Sequence, residues 1–128
     1  KTLVKSGSFD FESGQKAARK LLSLPAPPTA IIASNDDMAS GVIQVAHELG
    51  MALPGQLSVA GFDDTPLASR LWPQLTTVKQ PISEMASAVT GLLMNDIRNK
   101  SPNTQHRSFE FELVVRDSTL PPEVFLKD

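Results

Sequence analysis

The sequence predicts an α/β fold, in which a mostly parallel sheet is flanked by helices. Short apolar runs that suit strands alternate along the 128 residues with longer segments whose apolar residues recur at helical spacing. One unit is especially clear: the apolar run 29–33 leads to polar Asn35, then to an apolar helical stripe, and then to Gly50. Because parallel strands are joined by crossover helices, this order favours a parallel sheet.

The first part of the chain is predicted to form a short strand, a loop and a helix. Leu3 and Val4 suit a strand, and residues 6–10 suit a loop. From Glu12 onward apolar residues recur at helical spacing until Pro25, which ends the helix because a proline cannot continue it. The continuous apolar run that follows, 29–33, predicts a strand buried on both faces.

The helix after that strand carries the clearest local signals in the sequence. Either Asn35 or Asp36 can cap its start, and Gly50 suits a left-handed cap after its end. Its apolar stripe consists of Met38, Val42, Val45, Ala46 and Leu49. The Pro54-Gly55 turn signal then returns the chain to a predicted buried strand over residues 57–60.

The loop after residue 60 is the stretch in which a ligand is expected. In open α/β sheets ligands bind beyond the carboxyl ends of strands, and Asp63 and Asp64 stand there. The loop closes with an extended segment over 76–78 and with Gln80, which the following proline also biases toward an extended conformation. Polar residues at both ends of one loop system therefore indicate a polar ligand.

A long helix and a strand are predicted for the rest of the chain. Helical spacing from Pro81 to about Asn99 gives the helix one apolar inner face: Ile82, Met85, Ala86, Val89, Leu92, Leu93 and Ile97. A polar break at 101–104 follows, and alternation between 109 and 115 predicts a half-buried strand. The tail from Leu120 to Asp128 is expected to be loosely held.

Composition and motif spacing exclude several classes of function. A net charge of -2 argues against a nucleic-acid surface on this chain, because phosphate binding needs clustered Lys and Arg. The absence of cysteine excludes disulfides and thiolate catalysis. His47 and His106 lack metal-ligand spacing, and neither a phosphate loop nor a nucleophile elbow occurs. No enzyme, no cofactor and no membrane span are therefore predicted.

Four segments, taken in order, resemble the effector-binding domain of the lactose/galactose repressor (LacI/GalR) family. They are residues 7–14 (GSFDFESG), 28–50 (PTAIIASNDDMASGVIQVAHELG), 57–81 and 112–122 (ELVVRDSTLPP). The resemblance implies a periplasmic-binding-protein-like type I fold, with two α/β subdomains joined by three crossovers around a ligand cleft. It assigns residues 1–80 to the later part of the carboxyl-terminal subdomain, 81–111 to the amino-terminal subdomain, and 112–128 to the return into the first.

The resemblance further implies an incomplete domain, a carboxyl-terminal fragment of a regulator. The helix-turn-helix headpiece that contacts DNA, and an arginine that clamps the ligand in the family, would lie before Lys1. Such a fragment is expected to expose an apolar face, and therefore to associate with itself or to belong to something larger.

Four ligand-binding residues follow from the resemblance. Asn35 resembles the family's asparagine that bonds ligand hydroxyls, and Asp63 resembles its principal cleft carboxylate. Gln80 matches a position at the crossover, and Phe9 matches an aromatic that lies against the ligand's apolar face. The structural alternatives are a helix cap, an Asx turn, backbone hydrogen bonding and core packing, respectively. The ligand would be a sugar, a sugar phosphate or a purine.

The family also implies a homodimer, built from the helix that starts near Asp36 and the loop around Trp72. The residues assigned to this interface are Ser40, Gln44, Arg70, Leu71 and Trp72. A solvated helix face is the simpler interpretation for the first two, and anchoring in the core is the preferred interpretation for Trp72.

Two functions from different classes remain open at this stage. In the first, the chain is part of a cytoplasmic DNA-binding regulator, in which a small effector closes two subdomains and so shifts the position of a headpiece. In the second, it is part of a periplasmic sugar-binding protein of an ABC transporter. Residues 75–81 and 113–119 resemble the repressors, which favours the first. An enzyme on the same scaffold is a third and weaker alternative.

Overall fold

The protein, seen in a computed structural model that describes residues 3–99 and 106–121, alternates helices and strands. In chain order the elements are α1 (Phe11–Leu22), β1 (Ala30–Ile32), α2 (Asp36–Glu48), β2 (Ser58–Ala60), β3 (Thr77–Lys79), α3 (Ile82–Asn99) and β4 (Glu112–Val114). This alternation confirms the predicted α/β class. The predicted break at 101–104 and most of the predicted tail lie outside the described residues.

The strands are arranged so that three of them end at the same edge. β1 and β2 pair in parallel, with Ile31 opposite Val59. Two isolated parallel bridges place β3 beside β2 and the loop that follows it: Ala60 with Thr76, and Asp63 with Lys79. β3 then pairs with β4 in the antiparallel direction, with Val78 opposite Leu113. The carboxyl ends of β1, β2 and β3 therefore meet at one edge.

The core lies between α1, α2 and one face of the sheet. Two glycines let the helices approach closely: a Cβ on Gly41 would overlap the carbonyl oxygen of Phe11, and a Cβ on Gly14 would stand 2.7 Å from the Cα of Met38. The larger buried apolar side chains of this core are Leu21, Ile31, Met38, Val42, Ile43, Val45, Leu57, Val59 and Leu75. Most of them come from α2 and its neighbouring strands. The predicted stripe of α2 is buried at Met38, Val42, Val45 and Ala46, but Leu49 is 55% exposed.

The ends of α2 confirm the local signals in the sequence. Of the two candidate caps, Asn35 is the one used, because its side-chain Oδ1 accepts a hydrogen bond from the Met38 backbone N–H at 2.9 Å. Gly50 has a φ of 67°, the left-handed conformation that the predicted cap requires. Asp10 caps α1 in the same way, by accepting a hydrogen bond from the Ser13 backbone N–H at 2.7 Å.

Two predictions about the first strands are wrong. Leu3 and Val4 are exposed and form no strand, because no strand among residues 3–99 and 106–121 pairs with them. β1 is buried on one face only. Ile31 points into the core beneath the helices, whereas Ile32 is 84% exposed because the described residues leave the opposite face of the sheet open.

The predicted helix from Pro81 to Asn99 is confirmed as α3, but its apolar stripe has no partner among the described residues. None of its described residues is buried, and Val89, Leu93 and Ile97 are all exposed. Together with the open face of β1, this stripe confirms the expected exposure of apolar surface. No helix in the described ranges is long and apolar enough to cross a membrane.

A surface contact between α1 and α2 predicts a weak dependence of stability on pH. Hydrogen bonds, first from the Gln44 amide and then from the Arg19 guanidinium, hold the pKa of Glu48 below its ordinary value of 4.5. Because the folded pKa is lowered, the stabilisation is present above pH 4.5 and is lost as pH falls through the folded pKa. In thermal melts, Glu48→Gln should lower the Tm slightly above that pH, and this difference should vanish in stronger acid. A difference that instead grew in acid would contradict the sign.

Candidate functional site

The four residues predicted to bind a ligand lie at the edge where the three parallel strands end. Asn35 follows β1, Asp63 follows β2, and Gln80 follows β3. Phe9 comes from the loop before α1, and its backbone carbonyl oxygen accepts a hydrogen bond from Asn35 Nδ2 at 3.0 Å. Strand direction therefore brings together three residues that are far apart in sequence, and one hydrogen bond adds the fourth.

The amide of Asn35 serves two neighbouring segments at once. Its Oδ1 caps α2 through Met38, and its Nδ2 holds the Phe9 loop. An asparagine side chain offers two N–H donors and an oxygen with two lone pairs, so one N–H and one lone pair are left for a ligand. The predicted cap role is thus confirmed, and the ligand role remains a prediction.

Asp63 and Gln80 form a pair at the centre of the edge. Gln80 Nε2 donates a hydrogen bond to Asp63 Oδ1 at 2.7 Å, and both side chains are partly buried. Asp63 Oδ2 accepts no hydrogen bond from residues 3–99 or 106–121. The pair therefore presents a fixed carboxylate with one free oxygen, which is suited to accept hydrogen bonds from hydroxyl or N–H groups.

The backbone is strained at two of the four predicted residues. Phe9 has a φ of 59°, Asp63 a φ of 112°, and its neighbour Asp64 a φ of 54°. Positive φ is uncommon for residues other than glycine, and strained backbone occurs preferentially at ligand-binding and active sites. Phe9 is also 67% exposed, which excludes core packing among the described residues and leaves its ring open to a ligand.

Asp64 is held by a residue that sequence reasoning missed. Arg116, which follows β4, donates a hydrogen bond from Nη2 to Asp64 Oδ1 at 2.6 Å and from Nη1 to the Leu75 carbonyl oxygen at 2.8 Å. Both charged side chains are largely buried in this ion pair. Arg116 therefore forms hydrogen bonds with both ends of the loop 64–75. No local signal could have found this pair, because its members are 52 positions apart.

A second missed residue lies beneath the edge. The sequence offered Asp36 as an alternative helix cap, but its carboxylate instead accepts hydrogen bonds from the loop and from β3. Asp36 is 1% exposed, so it is buried where a carboxylate is stable only with hydrogen-bond donors around it. Its acidic character at a helix start gave no indication of these distant partners.

The residues predicted for a dimer interface are brought together on another face. They line one open hollow of about 490 Å3 between α2 and the loop before Pro73: Ser40, Gln44, Arg70, Leu71 and Trp72. The interpretation of Ser40 as part of a solvated helix face is wrong, because Ser40 is buried and donates a hydrogen bond to the Asp37 carbonyl oxygen. The prediction that Trp72 anchors the loop in the core is wrong, because its side chain is 80% exposed. Its neighbour Leu71 packs partly against the core instead.

Comparison with known sequences places this chain in a protein family. A sequence model of the periplasmic binding protein-like domain matches residues 2–119. The transcriptional repressor CytR of Escherichia coli (strain K12) is 37% identical over 116 residues, which are 91% of this chain and 34% of CytR. The ribose operon repressor of Halalkalibacterium halodurans is 38% identical over 117 residues, which are 91% of this chain and 35% of that repressor. The chain thus spans about a third of the length of these relatives.

Solved structures agree with the sequence relatives. The complex of the transcriptional regulator CelR with cellobiose superposes with a TM-score of 0.82 at 31% identity, over 88% of this chain and 34% of that chain. The fold is therefore that of a periplasmic-binding-protein-like α/β domain. Within that class, the chain belongs to the periplasmic binding protein-like domain family, in the form found in LacI-type transcriptional regulators.

Proposed function

We propose that this chain is the effector-binding part of a transcriptional regulator. The effector is a small polar molecule, and its binding changes the regulator's affinity for DNA. The observation that carries the proposal is the Asp63–Gln80 pair at the carboxyl edge of three strands, a fixed carboxylate whose second oxygen has no partner among the described residues. Relatives that are repressors, among them one named for the ribose operon, support the regulatory part of the proposal.

The unfilled polar atoms at this edge favour a ligand that donates hydrogen bonds. Asp63 Oδ2 and Gln80 Oε1 are acceptors without partners among the described residues, whereas the free donors are the second N–H groups of the Asn35 and Gln80 amides. A sugar or the ribose of a nucleoside supplies hydroxyl donors in this arrangement. A phosphate group would meet the Asp63 carboxylate unfavourably, so any phosphate on the effector would point away from Asp63.

The proposed effector site is one wall of a cleft between two subdomains. Residues 1–80 and 112–128 would belong to one subdomain, and 81–111 to the other. Two features support this division: β3 and β4 pair antiparallel, so that the chain leaves and returns side by side, and α3 between them has no buried residue. The apolar stripe of α3 would pack inside the second subdomain.

Regulators and transport receptors can share this fold, and a regulator is the function favoured for this chain. The two sequence relatives named above are repressors, and a protein of that kind acts in the cytoplasm, where the DNA is. DNA contact would come from a separate headpiece, because this chain has a net charge of -2. An effector that binds one closure state better than the other would then shift the affinity for the operator.

The proposal is tested on the protein as its natural gene encodes it. Calorimetric titration with ribose, cellobiose and adenosine should find a ligand that binds and is recovered unchanged. The same ligand should alter binding to the promoter DNA of the neighbouring genes. Binding with conversion of the ligand would indicate an enzyme, and binding without any effect on DNA would remove the regulatory role.

We further propose that the face lined by Trp72 joins two copies of the protein. Trp72→Ala should weaken dimerisation about 30-fold or more, because a large exposed aromatic at an interface centre typically contributes at least about 2 kcal/mol. Sedimentation equilibrium measures this change. Leu120→Ala removes another exposed apolar side chain that does not line this hollow, and it should leave the dimer intact. Equal weakening by both variants would contradict the assignment.

A further inference from the structure

Asp36 is a buried carboxylate, and the three hydrogen bonds that it accepts from described residues all come from segments that carry the candidate site. Its Oδ2 accepts from the Thr65 backbone N–H at 2.7 Å and from Thr65 Oγ1 at 3.1 Å. Its Oδ1 accepts from Thr77 Oγ1 at 2.6 Å. With 1% of its surface exposed, Asp36 cannot contact an effector itself.

The position of each partner relative to the site gives the carboxylate its significance. Thr65 lies two residues after Asp63, Thr77 lies three residues before Gln80, and Asp36 itself follows Asn35. One side chain therefore connects the loop after β2, the strand β3 and the start of α2. These are the three segments whose ends carry the polar residues of the edge.

The fit around this carboxylate is tight. A Cβ on Gly61 would stand 2.5 Å from Asp36 Oδ1 and 2.8 Å from Leu75 Cδ2, so only glycine lets the loop pass so close to the carboxylate. Both oxygens of Asp36 accept hydrogen bonds, and an asparagine would replace one of these acceptors by an NH2 group that only donates.

We propose that Asp36 is the positioning residue of the effector site. Its carboxylate sets Asp63 and Gln80 relative to Asn35, so that the edge is formed before a ligand arrives. The proposal rests on the proposed function for its biological meaning, but the positioning itself exists without any ligand. Pre-formed polar groups reduce the ordering cost of binding, which is the advantage that such an arrangement provides.

Two variants of Thr77 test the proposal while leaving the Asp36 side chain in place. Thr77→Val keeps the shape of the side chain and deletes the hydroxyl that donates to Asp36, whereas Thr77→Ser keeps that hydroxyl. The readout is native-state hydrogen exchange, in the natural protein, at the backbone amides of Gly61, Asp63 and Thr65. These amides donate to Thr76, Val78 and Asp36 respectively.

Thr77→Val should speed exchange at those three amides about fivefold or more, because a buried acceptor that loses a donor costs at least about 1 kcal/mol. The amides of α1 should be unchanged, and Thr77→Ser should match the unaltered protein. Equal acceleration in α1 would show a general loss of stability and overturn the proposal, as would unchanged exchange at all three amides. No ligand enters the measurement, so a failure to find an effector would refute the proposed function and leave this result standing.

Discussion

Replacing Asp63 by asparagine should weaken effector binding about 10- to 100-fold while leaving the fold intact, because hydrogen bonds to a charged group contribute about 1.5–3 kcal/mol. The asparagine oxygen can still accept the hydrogen bond from Gln80 that Asp63 accepts at 2.7 Å. The free carboxylate oxygen, however, becomes an NH2 group, so an acceptor for ligand hydroxyls is replaced by a donor. Calorimetric titration with the effector measures the loss.

The matched control for this change is Asp117→Asn. It removes the same charge from an exposed aspartate outside the edge that carries Asp63, Asn35 and Gln80. Thermal melts should show that both variants remain folded, and only Asp63→Asn should lose affinity. If Asp117→Asn weakened binding as much, net charge rather than a specific contact would govern the effector, and the assignment of Asp63 would fail.

Gly41→Ala should destabilise the protein by about 1–3 kcal/mol, because adding a methyl group to a tightly packed contact forces side chains or backbone to move. The new Cβ would overlap the carbonyl oxygen of Phe11 and stand 2.8 Å from the backbone nitrogen of Gln15. Backbone atoms of α1 cannot swing aside as a side chain can, so α1 and α2 would have to separate. Chemical denaturation measures the change in the free energy of unfolding.

The same substitution at Gly91 should have the opposite sign. Gly91 lies inside α3, and nothing stands within 4 Å of the position that its Cβ would take. Alanine is favoured over glycine inside a helix by about 0.5–1 kcal/mol, so Gly91→Ala should stabilise α3 where its surface stays open. Destabilisation by Gly91→Ala would indicate that a partner covers this face of α3 in the sample studied.

The elements whose signals are local were predictable from the sequence. The cap at Asn35 and the left-handed Gly50 are consequences of residues within a few positions of each other, and both are confirmed. The helical stripe between them is confirmed except at Leu49, which is 55% exposed. The grouping of Asn35, Asp63 and Gln80 was expected from the family resemblance, and the parallel course of the three strands accounts for it.

Features that depend on distant contacts were not predictable. The run containing Ile31 and Ile32 is apolar throughout, but this does not indicate which face of the strand is packed against other elements. One face of β1 is open. Asp36 and Thr77 are 41 positions apart, and Arg116 and Asp64 are 52 apart. Aspartates before a helix and after a strand have many local uses, so nothing in the sequence indicated these partners.

The positive φ values at Asp63 and Asp64 limit how this protein can change over generations. Glycine, asparagine and aspartate are the residues that adopt such conformations most readily, and β-branched or bulky residues adopt them least. A descendant that keeps this loop is therefore expected to favour glycine, asparagine or aspartate at position 63, although Phe9 shows that a larger residue can also adopt a positive φ. The geometry of the main chain thus favours glycine and short polar side chains at this position. It therefore limits how the ligand preference of this site can vary between related proteins.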